Sequence, residues 1–555
     1  TPPIQNLTLV ATTGIDVLHG GAGNDTFIAT NTTLQNGDRF YGEAGTDQLD
    51  VAISSQSSTF MDGFKTSSVE IVRVNNLSKA ETTLNVADVG YDTKDGKVEL
   101  FSDDAWGDVS FVDIQNISDT KLHVRDTASA TYFGYDTGNS AESGYDNGAS
   151  GKEGDAVDLT VSEMMGTVRQ GSNWYTGFKP GATTPDGTRP GVDGALVKLY
   201  NSDLVTDSYV DKITLHSDIT GQVSNTTKNT MQLVAGEDLD TLVIDGRADL
   251  EITNTLDENI RLVDARGHED ATKDSRADLI LDLSNSSDGV LFADQNAWWT
   301  DDANGDGYVS GDPEDQRSGI VDTLVVHGSQ GDDLITTGTT HNNKNVYLGT
   351  GNDTLVAAGS LQMGNASAAI IIRPDDSQPA HPVVDILWGG EATVDGGTGN
   401  DVIVTGNLND SVSAGDGDDI VIDGGSTTLN TRNTNYFHGD PLNRYDTETV
   451  DGQRTGNWFD LGKGNDQLTV ESALNLLGDS DSLKGRQQVN GSNDTVLAGE
   501  GDDVVTIYGN AVDGIITPDQ YGKGVPTWSS TLWNRVDTYV DLGDGADSLS
   551  IGDSG

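Results

Sequence analysis

The sequence contains no cysteine, so neither disulfide bridges nor thiolate-held metals secure this protein, and something else must staple it. Basic residues are scarce: 31 Lys and Arg stand against 89 Asp and Glu, a formal net charge of −58, and no stretch gathers enough cations to form a basic face. Nucleic acid and anionic membrane surfaces are therefore poor partners. Long apolar runs are missing too. Stretches such as Ala368 to Ile372 are far short of the ~20 residues a membrane span needs, so no membrane span is expected. The chain opens Thr1-Pro2-Pro3 without a charged-then-apolar leader, as a mature product, a fragment or a protein exported without an N-terminal signal would.

Recognisable catalytic constellations are also lacking. The eight histidines are scattered, and His268-Glu269 is followed by Thr272 where a His-Glu-x-x-His zinc protease needs its second imidazole. No Gly-x-Ser-x-Gly nucleophile elbow occurs. Carboxylate pairs abound, but in so acidic a chain they say nothing about glycosidase chemistry. Trp298-Trp299, and Trp174-Tyr175 with Phe178, read more readily as buried or loop-anchoring aromatics than as sugar platforms. The expectation is that this chain is not an enzyme.

What is present is glycine and aspartate in register. Gly accounts for 68 of 555 residues, about 12% against an ordinary value of about 7%. Gly20-Gly21-Ala22-Gly23-Asn24-Asp25-Thr26-Phe27 sets the pattern Gly-Gly-x-Gly-x-Asp-x-apolar, and Gly14, Asp16 and Leu18 fall in the same phase before it. Copies recur at Gly42/Gly45/Asp47/Leu49, Gly328/Gly331/Asp333/Ile335, Gly349/Gly351/Asp353/Leu355 and Gly396/Gly397/Gly399/Asp401/Ile403. They continue at Gly415/Gly417/Asp419/Val421, Gly462/Gly464/Asp466/Leu468, Gly499/Gly501/Asp503/Val505 and Gly543/Gly545/Asp547/Leu549. Asp401, Asp410 and Asp419 keep a spacing of nine residues, as do Asp494 and Asp503, which chance does not readily produce.

Each copy joins a turn to a short strand with an inward apolar residue, and a single copy cannot bury that residue alone. Stacked copies form a roll of parallel strands. Glycine lets the turn adopt φ > 0 and exposes carbonyls, and the Asp adds a carboxylate beside them. Such oxygen-rich turns suit calcium, which takes six to eight oxygens in flexible geometry; magnesium prefers a tight octahedron and its own waters. Cancelling the net charge would take half of 58, about 29 divalent ions, more than the repeats can hold, so other acidic loops should bind calcium or a strongly negative surface must remain.

The motif resembles that of the RTX (repeats-in-toxin) family, whose repeats form calcium-filled parallel β-rolls. The resemblance covers roughly half the chain and implies multiple calcium ions. The conserved Asp would supply the side-chain ligand: Asp25, Asp333, Asp353, Asp401, Asp419, Asp466, Asp503 and Asp547, with Asp16, Asp47, Asp410 and Asp494 in degraded copies. Glycine carbonyls would supply the rest: Gly20, Gly21, Gly23, Gly328, Gly331, Gly349, Gly351, Gly396, Gly397, Gly399, Gly415, Gly417, Gly462, Gly464, Gly499, Gly501, Gly543 and Gly545. Ions would lie between neighbouring turns, so the in-phase run Asp401, Asp410, Asp419 is expected to share ions between consecutive turns. Isolated copies must find their partner turn in a distant segment.

The expected fold is all-β: a parallel β-roll or solenoid with calcium-binding nonapeptide turns, plus a β-rich central region. The expected divisions are an N-terminal repeat segment over 1–50, a central region over 51–320, and a C-terminal roll over 321–555. In the centre, Val69 to Val74, Lys97 to Leu100 and Thr241 to Ile244 alternate like strands, in a sandwich or a solenoid, while Tyr132 to Gly154 and Gln170 to Gly194 read as long polar loops. Near its end, Asp302, Asn304, Asp306, Gly307, Tyr308 and Ser310 fit the early positions of an EF-hand-like calcium loop, with Pro313 where a Glu is expected and Asp312 or Glu314 as substitutes in a shifted loop. Asp312-Pro313 and Asp440-Pro441 resemble the calcium-triggered cleavage points of some RTX-related proteins. The resemblance implies type I secretion and a structural role at the bacterial cell surface, most like an S-layer subunit that self-associates into an array. Its rivals are an RTX adhesin segment that binds cell-surface polysaccharide and the non-catalytic part of a secreted enzyme or toxin.

Overall fold

Strict alternation of apolar and polar residues makes short strands with one buried face. In Gln48–Ile53, Leu49, Val51 and Ile53 are fully buried while Gln48, Asp50 and Ala52 stay accessible, as a period of two requires. A face this narrow is stable only when copies stack, so each strand pairs in parallel with its counterpart in the next coil and like residues lie over like.

The computed structural model describes residues 4–90, 97–135 except 116 and 128, 155–164, 195–201, 210–219, 228–235, 239–256, 260–268, 277–283, 323–337, 343–357, 392–405, 410–423, 457–470, 495–508 and 539–552. It also describes the strand backbone of 167–170, 173–176, 370–373, 383–386, 428–429 and 488–489. All regular structure among these residues is strand, and none is a helix able to cross a membrane. The Cα trace forms two compact units, Thr1–Asp282 and Leu283–Gly555.

In the first unit, one ladder runs in parallel through Thr8–Val10, Thr26–Thr30, Gln48–Ile53, Ile71–Asn76, Val98–Asp103, Thr120–Arg125, Asp155–Ser162, Val210–Asp218, Thr241–Gly246 and Leu262–His268. Its inward column is Phe27, Leu49, Val72, Leu100, Leu122, Leu159, Leu215 and Ile244, each at most 1% exposed. A second ladder, which includes Thr59–Met61, Thr82–Asn85, Val109–Ile114 and Thr131–Tyr135, stacks Met61, Leu84, Phe111 and Phe133. The Phe111 and Phe133 rings lie parallel, their centroids 5.5 Å apart. The choice between sandwich and solenoid is thus decided for the solenoid. Gln48–Ile53 crosses the boundary expected at residue 50 and pairs along its length with Ile71–Asn76.

Two segments expected to be loops differ. Tyr132 lies within the strand Thr131–Tyr135, because Phe133 and Tyr135 fill the core. Within Gln170 to Gly194, Asn173–Thr176 pairs antiparallel with Thr167–Gln170, a local hairpin outside the parallel ladders.

The second unit repeats the design. Thr323–His327, Asn343–Tyr347, Ala392–Asp395, Ser411–Ser413, Trp458–Asp460, Thr495–Leu497 and Tyr539–Asp541 form one parallel ladder. Leu334–Thr337, Thr354–Val356, Val402–Val404, Ile420–Asp423, Gln467–Val470, Val504–Tyr508 and Ser548–Gly552 form the other. Val346, Val394, Val412, Phe459 and Val496 face Leu355, Ile403, Val421, Leu468 and Val505 as a core whose members are at most 2% exposed. Successive coils are separated by anywhere from 18 to 48 residues, so insertions leave the stack without changing its register.

Truncating one core rung opens a cavity that neighbouring coils fill only partly. Phe459→Ala should therefore cost about 3–5 kcal/mol in urea unfolding at saturating calcium. Trp458→Ala, whose side chain is 38% exposed, should cost less; equal losses would mean that the stacked column is not the core.

Candidate metal centre

Between paired strands of the second unit the chain turns through the glycine-rich segments, and the turns stack as closely as the strands. Gly397 and Gly399 have φ of +94° and +127°, and a Cβ on Gly399 would lie 1.4 Å from the Gly351 carbonyl oxygen below it. Only glycine fits there. The turn backbones bond from coil to coil: Thr398 N–H donates to Gly349 O (3.1 Å), Asp416 N–H to Gly397 O (3.0 Å) and Lys463 N–H to Gly415 O (2.9 Å).

This stacking gathers the repeat aspartates into one column. The backbone N–H of Asp333 donates to Asp353 Oδ1, that of Asp353 to Asp401, that of Asp401 to Asp419 and that of Asp419 to Asp466, each at 2.8 Å. Asp466 N–H donates to Asp503 at 2.9 Å and Asp503 N–H to Asp547 at 3.1 Å. Among the described residues, each of these copies thus finds its partner turn in the next one of the column, however distant in sequence. One position earlier runs a more exposed column of opposite polarity. Asn352 N–H donates to Asp332 Oδ1, Asn400 N–H to Asn352, Asp418 N–H to Asn400, Asn465 N–H to Asp418 and Asp502 N–H to Asn465, at 2.8 to 3.0 Å.

In the buried column one oxygen of each carboxylate is satisfied and the other is not. Oδ2 of Asp353, Asp401, Asp419, Asp466 and Asp503 is buried without a hydrogen-bond partner. A charged oxygen in that condition costs about 1–3 kcal/mol or more, so the column calls for a cation. Among the described residues no three carboxylates or imidazoles converge. A cation here must therefore draw on turn carbonyls beside the carboxylates, the mixed oxygen set that calcium accepts. The residues present fit that ion.

Asp333 begins the column differently. Its carboxylate is occupied by the backbone N–H and the hydroxyl of Ser329, so it lacks an orphaned oxygen. Asp547, in the last described coil, is half-buried.

In the first unit the same arrangement comprises Asp25, Asp47 and Glu70. Leu7 N–H donates to Asp25 Oδ1 (2.6 Å), Asp25 N–H to Asp47 Oδ1 (2.7 Å) and Asp47 N–H to Glu70 Oε2 (2.8 Å). Oδ2 of Asp25 and of Asp47 is buried and unpartnered. Glycines close the approach here as well, since a Cβ on Gly20 would meet Asp25 Oδ2 at 2.4 Å and one on Gly23 would meet the Gln5 carbonyl at 2.3 Å.

The structure corrects the expectation about nine-residue spacing. One coil contains two turns on opposite sides, so aspartates nine residues apart face away from each other and those eighteen apart stack. Asp401 and Asp419 are neighbours, whereas Asp410 lies in a second column, where its Oδ1 accepts from Ala392 N–H (2.7 Å) and its own N–H donates to Asn457 Oδ1 (2.9 Å). Asp16 likewise leaves the Asp25 column: its carboxylate accepts from Thr12, and its N–H donates to Asp38 Oδ1 at 2.8 Å. Asp38 is fully buried, with its other oxygen bonded to Gln35 N–H (2.7 Å). Neither Asp16 nor Asp38 has an orphaned oxygen, so they serve as backbone caps. Asp494 and the EF-hand-like set Asp302, Asn304, Asp306 and Tyr308 lie outside the described residues, as do both Asp-Pro bonds.

Reading motifs alone missed Glu70, Asp38 and Asn457: Glu70 has no glycine nearby, and Asp38 and Asn457 each follow a single glycine without the Gly-x-Gly-x-Asp pattern. Coil spacing could have found the last two: Asp16 to Asp38 repeats the 22 residues from Asp25 to Asp47, and Asp410 to Asn457 repeats the 47 from Asp419 to Asp466.

Burial dominates the electrostatics. It pushes Asp353 up to about 8 and Asp401 and Asp466 to about 7, while each accepted backbone N–H pulls the other way. Asp419, Asp503 and Asp47 move upward for the same reason.

Fold and site together define a parallel β-roll whose stacked turns present a column of cation-demanding carboxylates. The RTX calcium-binding nonapeptide repeat family matches the chain in four copies, over residues 8–31, 393–425 and 488–511. Over these residues the chain carries RTX calcium-binding repeats. No curated protein matches it.

Two outcomes follow from the column. Carboxylates whose folded pKa lies above the unfolded value near 3.9 contribute stability at low pH that is lost as pH rises through about 7 to 8. With excess chelator, the melting temperature should fall steadily from pH 5 to pH 8.5, and saturating calcium should flatten or invert that slope; the same slope in both would show that no ion binds the column. Second, Asp419→Asn keeps an acceptor for Asp401 N–H but removes the charge, whereas Asp419→Ala removes both. Calcium titrations followed by circular dichroism should show Asn shifting the folding midpoint to higher calcium with full rescue, and Ala leaving a residual loss even at saturation.

Proposed function

We propose that this protein is a non-enzymatic, secreted structural subunit of a bacterial cell surface, an S-layer-type protein that folds and assembles in response to calcium. The observation that carries this reading is the extent of the carboxylate columns. They run from coil to coil within each unit, so calcium acts as a staple for the scaffold and not as a local cofactor. Secretion agrees with that demand, because calcium-rich surroundings lie outside the cell, where RTX repeats are typically found.

Assembly draws on the charge left over. Asp332, Asp418 and Asp502 repeat along one exposed edge beside Glu500 and Asp544, where Lys463 answers Asp416 alone (Nζ to Oδ1 2.7 Å). A regular acidic edge repels its own copy in the absence of divalent ions and can be bridged to it when they are present.

The test is electron microscopy of the purified chain during a calcium titration, with circular dichroism on the same samples. Ordered two-dimensional arrays should appear, and at higher calcium than folding requires. A chain that folds with calcium yet remains monomeric at every concentration sinks the array reading while leaving the calcium columns intact. Glycan binding by that monomer would favour an adhesin segment.

A further inference from the structure

The chain carries a formal net charge of −58, so two copies repel wherever their carboxylates meet. One described face of the Leu283–Gly555 unit escapes that repulsion. It is the outward side of the ladder that runs from Leu334–Thr337 to Val504–Tyr508, with strands paired in parallel register. The first outward position of successive strands holds Leu334, Thr354, Val402, Ile420, Gln467 and Val504, and two residues further on stand only Thr, Val or Ile. None of these side chains is charged. Leu334, Ile420 and Val504 are 40%, 37% and 44% exposed.

Other outward faces differ. The partner ladder of the same unit turns Asp395, Asp460 and Asp541 outward. In the first unit, the outward side of the ladder containing Gln48–Ile53 is laced by the ion pairs Arg73–Asp103 and Arg125–Asp103. A contiguous apolar strip rimmed by polar groups marks an interaction surface. The rim here is the exposed Asp/Asn column that precedes the strip by two residues, held straight along the stack by its backbone N–H to side-chain bonds.

A partner for this strip must bring rows at the same spacing of about 4.8 Å and must keep carboxylates out of the contact. The same face of a second copy does both. Resting on the array reading above, we propose that this uncharged face is the contact between copies: two rolls pack sheet to sheet, about 10 Å apart, through Leu334, Val402, Ile420 and Val504. A twofold axis along the strands sets Asp332, Asp418 and Asp502 opposite the same column of the second copy, where calcium closes the rim. A strip six strands long and three columns wide covers roughly 400 Å² per copy, about 800 Å² in total and below the ~1,200 Å² of stable complexes. One contact is therefore weak in solution and gains strength by repetition in an array.

Sedimentation equilibrium of the full chain at roughly 100 µM and saturating calcium tests this, with electron microscopy of arrays from the same preparations. Wild type should show a monomer–dimer equilibrium. Ile420→Asp with Val504→Asp sets like charges against each other in the contact, and should weaken pairing by about tenfold or more and abolish arrays. Thr393→Asp, on the outward face of the partner ladder, should leave both unchanged. Circular dichroism in calcium reports folding; if the two aspartates prevent it, Ile420→Ser with Val504→Ser reads the same equilibrium, weakened severalfold by the lost apolar area. Pairing and arrays equal to wild type in the folded face variants, or lost equally in Thr393→Asp, would overturn this contact and leave the array reading in place. A folded wild type that stays monomeric and forms no arrays would end both. Binding of purified surface polysaccharide by that monomer, lost on the same substitutions, would give the face to that ligand and overturn the pairing.

Discussion

The structure depends on one unfavourable placement: a carboxylate oxygen buried between stacked turns with nothing from the protein to bond it. Oδ2 of Asp401 or Asp419 sits in that position because the partner oxygen is tied to the backbone N–H of the preceding coil, which fixes the side chain inward. Such a site is unstable alone and becomes stable with a divalent cation. A bound cation would therefore supply what disulfides supply in many proteins, a cross-link between segments distant in sequence. A cation bound there would contribute its binding free energy to folding.

The hydrophobic core is thin and cannot perform that task alone. Each coil contributes one or two inward residues per strand, such as Val412 or Leu468, and the opposite face of each strand remains accessible. Stability accumulates from nearest-neighbour contacts between coils. Hydrogen-bonded side-chain columns add to those contacts at the turns, where apolar burial is least. Two polarities coexist, with the buried Asp column accepting from the coil before and the exposed Asp/Asn column accepting from the coil after. Each turn is therefore held from both directions, which rigidifies it around the ion.

Not every aspartate in the repeat phase carries the same burden. Asp16 and Asp38 are satisfied by backbone N–H groups, and Asp333 is capped by Ser329. These two solutions, backbone cap and side-chain cap, leave no orphaned oxygen at particular coils.

The sequence by itself determined the all-β character, the parallel stacking and the chemistry of the turns, because alternation, glycine placement and an Asp at each turn are local properties that demand stacking to be satisfied. Asp25, Asp353, Asp401, Asp419, Asp466 and Asp503 were legible in this way. Tertiary structure alone decided which turns are neighbours. Two turns per coil place residues nine apart on opposite sides, so Asp410 parts from Asp401, and insertions of different length bring Asp353 over Asp401 across 48 residues. Glu70, Asp38 and Asn457 remained hidden for the same reason: their roles come from the coil stacked against them, and in a solenoid that neighbour is set by where the chain re-enters the ladder.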